Sequence, residues 1–98
     1  MRDPEVLEKV KSSLALLSQR YPGRAIEVRI PPYAATQCGD GPKHTRGTPP
    51  NVIEMTAETW LALVEGRTSW SQAYEAGLII ASGVRADLSH LLPLLPDK

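Results

Sequence analysis

The sequence predicts an α+β fold in which helices cover one face of a four- to five-stranded, largely antiparallel sheet. The chain has 98 residues, the size of one domain with one modest core. Helical spacing of apolar residues occurs near both ends, and short segments with apolar residues at alternate positions lie between them. The predicted order is α-β-β-β-α-α-β-α in a single domain over residues 1–98, and the three consecutive strands suggest an antiparallel meander.

The first helix is predicted to begin after Asp3 and to end near Arg20. Asp3 can cap it, and Pro4 suits the first helical position. Its apolar residues recur at three- and four-residue spacing and form one face: Val6, Leu7, Val10, Leu14 and Leu17. Because both signs of charge mix on the opposite face, we expect this helix to cover a core rather than a membrane surface.

Three strands are predicted to follow the first helix. Residues 25–30 alternate apolar and charged, which indicates a strand buried on one face, and two prolines end it. Residues 33–38 form a weaker strand with small side chains, and residues 51–56 form a third. Between these two, residues 39–50 contain three glycines and three prolines, which predicts a long irregular loop.

Two short helices are predicted next. Thr56 can cap the first of them, and Gly66 suits a left-handed residue at its end. Ser69 and Gln72 have the spacing of a capping box for the second, which Gly77 ends.

The chain then returns to the sheet. Residues 78–82 lack alternation, so we expect a central strand buried on both faces. A final helix is predicted over residues 85–92.

Composition argues against several functional classes. The formal net charge is zero, so the basic footprint of nucleic-acid binding is missing. The one cysteine, Cys38, rules out an internal disulfide and fits a reducing compartment. Neither a signal peptide nor an apolar run of membrane-spanning length is visible. We expect a soluble cytoplasmic protein, and the sequence leaves open whether copies of it assemble.

The second half of the chain resembles the sterol carrier protein 2-like family. The resemblance lies in Trp60-x-x-Leu63-x-x-Gly66, then Trp70-x-x-Ala73, Gly77-x-Ile79 and Gly83. The run GPKHTRGTPPNVIE is similar to a loop of small bacterial members, and the resemblance covers essentially the whole chain. It implies a sheet under helices with an apolar cleft, which relatives use to hold fatty acyl chains or sterols. The chain departs from larger relatives in having four apparent strands rather than five or more, and it lacks the peroxisomal tripeptide.

The resemblance and the apolar helix faces together predict a ligand site between the sheet and the C-terminal helices. A lipid tail would bind there by removal of apolar area from water. The alternative is that the same side chains pack on one another as core. The predicted lining residues are Trp60, Leu63, Val64, Trp70, Ile79, Leu88, Leu91 and Leu92.

The loop over residues 39–50 is predicted to meet the ligand's polar end. Lys43, His44 and Arg46 lie among glycines whose backbone amides can turn toward an anion. The alternative is a solvated turn in which Arg46 pairs with Asp40 or Glu54.

Catalysis is not expected. A nucleophilic pair of Cys38 and His44 would need the loop to fold back, and buried cysteines are usually inert. A metal site from Cys38, Asp40, His44 and His90 matches no zinc spacing. We therefore predict a non-enzymatic module, without metal or cofactor, that holds a lipid, acyl chain or other apolar ligand. The alternative is a ligand-free interaction or accessory domain that docks through the 39–50 loop or an exposed sheet face.

Overall fold

A computed structural model describes residues 3–40 and 51–94 of the chain. The class is α+β, as predicted, with three helices and four strands in these two ranges. In chain order they are α1 (Pro4–Arg20), β1 (Ile26–Ile30), β2 (Ala34–Cys38), β3 (Val52–Glu54), α2 (Ala57–Glu65), α3 (Trp70–Glu75) and β4 (Ile80–Ser82).

The four strands form a mixed sheet in the order β2-β1-β3-β4. Strand β1 pairs antiparallel with β2 and parallel with β3, while β3 pairs antiparallel with β4. The expected meander is therefore wrong at its third strand, which joins the far edge of β1 instead of β2. The physical reason is connection length: the 13 residues between Cys38 and Val52 exceed a hairpin turn, and both residues lie at the end of the sheet where β1 begins, beside Ile26 and Glu27.

Strand β4 lies at the sheet edge, which corrects the expectation of a central strand. It has three residues, and Ile80 is 66% exposed. The apolar run that suggested burial on both faces divides at the start of the strand: Ile79 is buried just before it, and Ile80 faces the open side opposite Glu54.

The final helix predicted over residues 85–92 is also wrong. Residues 83–94 form turns instead. The Asp87 carboxylate accepts a hydrogen bond from the Ser89 backbone N–H at 2.8 Å, and such local bonds compete with those of a helix. Leu88 and Leu94 are nevertheless fully buried, so the segment packs on the core without helical structure.

The predicted helix ends are confirmed. Asp3 accepts from the Glu5 N–H, and Thr56 accepts from the Thr59 N–H. Gly66 has φ of 78°, in the left-handed region that ends α2. The capping box at the start of α3 is complete, because Ser69 and Gln72 each accept from the other's backbone N–H.

One hydrophobic core lies between the helices and one face of the sheet. Val28, Ile30 and Ile53 supply the sheet side and are fully buried. Helices α1 and α2 cover them with Val10, Leu14, Leu17, Trp60, Leu63 and Val64. The opposite face of β1 carries Glu27 and Arg29, which pair with each other and are partly exposed. None of the helices in the described part of the chain is long and apolar enough to cross a membrane.

Candidate functional site

A cleft of about 730 Å³ lies where the end of α1, the start of β1 and the turns after β4 meet. We call it the Arg85 cleft. Its apolar lining includes Ile26, Val84 and Leu91. Its charged or titratable lining consists of Arg20, Tyr21, Asp40, Arg85, Asp87 and His90. The volume is in the range of small-molecule sites, and the mixed lining suits an amphipathic ligand.

Asn51 holds the turn after β4 against the start of β1. Its side chain is buried, with the amide nitrogen donating to the Ala25 carbonyl oxygen at 2.7 Å. Its amide oxygen accepts from the Arg85 backbone N–H at 2.8 Å. The Arg85 side chain then reaches across the cleft, and its Nη1 donates to the Asp40 carbonyl oxygen at 2.9 Å. Both ends of Arg85 are thereby fixed.

A close approach of two glycines forms the cleft wall beside α1. The Gly39 N–H donates to the Tyr21 carbonyl oxygen at 2.8 Å, and the Gly39 carbonyl oxygen accepts from the Ala25 N–H at 3.1 Å. Gly23 has φ of 140°, and a Cβ there would lie 1.9 Å from the Gly39 oxygen. Only glycine at position 23 lets the two backbone segments approach this closely without either being displaced.

Two charged side chains of the cleft, Arg20 and Asp87, form hydrogen bonds with neighbouring backbone. Arg20 Nη1 donates to the Leu94 carbonyl oxygen at 3.0 Å. Hydrogen bonds from Ser89 lower the pKa of the Asp87 carboxyl, and the nearby His90 adds to the effect. Asp87 is thus stabilised as a carboxylate by its own turn.

A second cleft, of about 660 Å³, lies between the end of α2, the start of α3 and the C-terminal turns. We call it the Trp70 cleft. Leu63, Trp70 and Leu92 line it together with Arg67. Arg67 is already paired there, since its Nε lies 2.7 Å from a Glu65 carboxylate oxygen.

The structure divides the predicted ligand-lining residues between these surfaces. Leu63, Trp70 and Leu92 line the Trp70 cleft, and Leu91 lines the Arg85 cleft. Val64 borders a groove between α1 and α2. The other three, Trp60, Ile79 and Leu88, are buried in the hydrophobic core, to which Leu63 and Val64 also belong. A binding role for the set stays a prediction.

The predicted head-group residues Lys43, His44 and Arg46 lie outside the described residues, as does the alternative pairing of Arg46. The described chain stops at Asp40, which lines the Arg85 cleft, and resumes at Asn51, which binds Arg85.

The residues considered for catalysis and for metal binding are only partly described. Cys38 is fully buried, and desolvation raises the pKa of its thiol to about 11. Its partner in the nucleophilic pair, His44, is not among the described residues. Over 3–40 and 51–94, no three His, Cys, Asp or Glu side chains group in a way that could hold a metal ion.

Sequence reasoning missed Arg85, Asn51 and Arg20 as neighbours. Each is an ordinary residue in its local pattern, and sequence separations of 31 and 34 residues divide Asn51 from the two arginines. No spacing pattern in the sequence reports this proximity, because it depends on how β3 pairs with β1 and β4.

Comparison with protein families matches residues 3–94 to the family described as "Bacterial SCP ortholog". No curated protein matches the chain. The matched region contains all seven helices and strands and both clefts, and it agrees with the resemblance carried by the glycine and tryptophan pattern. The chain therefore belongs to the bacterial sterol carrier protein-like family.

Proposed function

We propose that the chain is a non-enzymatic binding module that holds a lipid, acyl chain or other apolar ligand. The observation that carries the proposal is the family match over residues 3–94. Better-known members of the sterol carrier type hold fatty acyl chains or sterols. A cytoplasmic location belongs to the same proposal and rests on the lone Cys38.

Partly buried apolar side chains beside the core support a place for the tail. Trp70, Leu91 and Leu92 pack against the core cluster but are only partly buried, so part of each side chain is accessible to a ligand. Each methylene group removed from water contributes ~0.8 kcal/mol, so a buried chain of at least about ten methylenes is needed for the ~8 kcal/mol of micromolar affinity. Trp60 is fully buried, so a ligand in contact with it requires the core to open.

A fluorescence titration tests the proposal. Fatty acids of increasing length and an acyl-CoA are added to the intact chain, and to Trp70→Phe and Trp60→Phe variants that each keep one indole. We expect saturable binding at micromolar ligand that tightens with chain length, with the larger signal from Trp70 because it lines a cleft. Absence of saturable binding, together with no copurifying lipid by mass spectrometry, would overturn the proposal.

A second candidate function is protein docking at the β4 edge. Leu78 and Ile80 are 51% and 66% exposed there and line one groove with Pro31 and Met55, an exposed apolar patch of the kind at which proteins dock. The partner would be another protein, of which a second copy of the chain is the simplest case. Light scattering with size exclusion on the natural chain and on Ile80→Lys tests this. A concentration-independent monomer in both would remove the second-copy case, and a partner pull-down unchanged by Ile80→Lys would remove the rest.

A further inference from the structure

We propose that the Arg85 cleft binds an anionic head group, a carboxylate or phosphate, with the Arg85 guanidinium as its main contact. The inference rests on the proposed function and assigns the polar end of the ligand to residues outside the 39–50 loop. The start of the ligand's chain lies along Ile26 and Leu91 in the same cleft, and the Trp70 cleft adjoins it at Asp87, which lines both.

Arg85 forms no ion pair with a carboxylate in the described part of the chain. Its side-chain hydrogen bond to a described residue goes to the Asp40 carbonyl oxygen, which is uncharged and occupies a single donor. The two ion pairs between described residues, Arg29–Glu27 and Arg67–Glu65, do not involve it. A guanidinium has five N–H donors in a planar fork that matches a carboxylate or phosphate, so the remaining donors are available to a ligand.

The side chain is also held in place. Asn51, which is 4% exposed, fixes the Arg85 backbone through a 2.8 Å hydrogen bond, and the Asp40 carbonyl fixes the guanidinium. An arginine ordered before binding loses less conformational entropy when the ligand arrives.

The other charges of the cleft set the expected affinity. Arg20 adds a second guanidinium. The Asp87 carboxylate already accepts a hydrogen bond from the Ser89 N–H, which stabilises its negative charge. Asp40 lines the same cleft with an exposed carboxylate that opposes an anion. Removing that carboxylate should therefore tighten anion binding, whereas removing the Arg85 guanidinium should weaken it.

The Trp70 cleft is less suited to an anion. Its arginine, Arg67, lies 2.7 Å from a Glu65 oxygen, so an incoming carboxylate would compete with one already in place. Arg85 and Arg67 therefore form a matched pair of exposed arginines, one in each cleft and only one of them paired with an acid.

The test compares hexadecanoate with hexadecan-1-ol, which differ in head-group charge and share the same chain length. Affinities are measured for the natural chain, Arg85→Gln, Arg67→Gln and Asp40→Asn. We expect Arg85→Gln to weaken hexadecanoate by about five- to tenfold and to leave the alcohol unchanged, since a charge-assisted bond is lost. Asp40→Asn should tighten hexadecanoate about two- to fivefold, and Arg67→Gln should leave the ratio of the acid's affinity to the alcohol's affinity unchanged. Arg85→Lys, which keeps the charge, should recover part of the loss.

The sources of the anion are separated by two further probes. Lysophosphatidic acid presents a phosphate on a chain, and inorganic phosphate presents it alone. Backbone amide shifts of Asn51 and Arg85 report either probe, and a head-group site responds to the lipid well below the concentration needed for the free ion.

Each outcome decides the inference. Equal effects of Arg85→Gln on acid and alcohol, or a loss of acid binding relative to alcohol binding in Arg67→Gln alone, would overturn it while leaving the carrier proposal intact. Phosphate shifts at Arg85 without binding of any long-chain ligand would keep the anion contact and remove the carrier proposal. No response at Arg85 to any probe would overturn the inference outright.

Discussion

The indole N–H of Trp60 donates a 2.8 Å hydrogen bond to the hydroxyl oxygen of Ser13, joining α2 to α1 inside the core. Trp60 is fully buried and Ser13 is 7% exposed, so water cannot replace either group. Ser13 in turn donates to the Lys9 carbonyl oxygen at 2.7 Å. The bond is the polar link between the two helices that cover the sheet.

Ser13→Ala should lower the free energy of unfolding by ~1–3 kcal/mol, because it leaves the buried Trp60 N–H without an acceptor. Urea denaturation followed by circular dichroism measures the change. Ser12→Ala is the matched control: Ser12 makes a similar bond to the Glu8 carbonyl oxygen but is exposed, and its loss should cost under ~0.5 kcal/mol. Equal losses in the two variants would show that the Trp60 contact adds nothing.

Asn51→Ala should remove the bridge between β1 and Arg85. The Ala25 carbonyl loses its donor at a buried position, and the Arg85 N–H loses its acceptor at a partly buried one. We expect a loss of ~2–3 kcal/mol in unfolding free energy and large amide shifts at Arg85, since two hydrogen bonds are broken. Asn51→Asp separates the two effects, because it keeps an oxygen for Arg85 but cannot donate to Ala25. Unchanged shifts at Arg85 in Asn51→Ala would mean that the bridge does not position that residue.

The sequence predicted what is decided locally. Helix α1 depends on the apolar spacing along its own 17 residues, and the caps at Asp3 and Thr56 and the capping box of Ser69 with Gln72 depend on residues within one helical turn; all are confirmed. The folded chain keeps these local structures because its tertiary contacts favour the same conformations.

The predictions that failed concern the strand pairing, which non-local contacts decide, and residues 85–92, where a short-range hydrogen bond decides the backbone conformation. The parallel pairing of β3 with β1 depends on the path of a 13-residue connection, which periodicity does not report. The spacing of Leu88, Leu91 and Leu92 matches a helix, yet the Asp87–Ser89 bond favours turns. The Arg85 cleft depends on both effects, so its residues could be assigned only after the topology was known.

Gly23→Ala should destabilise the chain more than Gly77→Ala. Both glycines have positive φ, 140° and 76°, so both substitutions strain the backbone by ~1 kcal/mol. At Gly23 the new Cβ would also lie 1.9 Å from the Gly39 carbonyl oxygen, whereas at Gly77 nothing lies within 4 Å. We expect a loss of ~1 kcal/mol for Gly77→Ala and at least twice that for Gly23→Ala in thermal or urea unfolding. Similar losses would mean that the Gly23–Gly39 approach opens freely.

Cys38 should resist alkylation in the folded chain. Desolvation raises the pKa of its thiol from 9.0 to about 11, so at pH 8 the thiolate fraction falls about a hundredfold, and the side chain is fully buried as well. Labelling with iodoacetamide at pH 8 should be slow in buffer and fast in urea. Because the folded pKa of the thiol is above the unfolded one, its contribution to folding stability should be constant below pH 9 and fall as pH rises toward 11.

Cys38→Ala is the control for that pH dependence. It removes the titrating thiol, so the decline in unfolding free energy between pH 9 and 11 should become shallower, while lipid binding at neutral pH stays unchanged. The substitution itself should cost little, because the two side chains are close in size. A native labelling rate equal to that of a free thiol would contradict the burial, and it would make Cys38 a candidate nucleophile again.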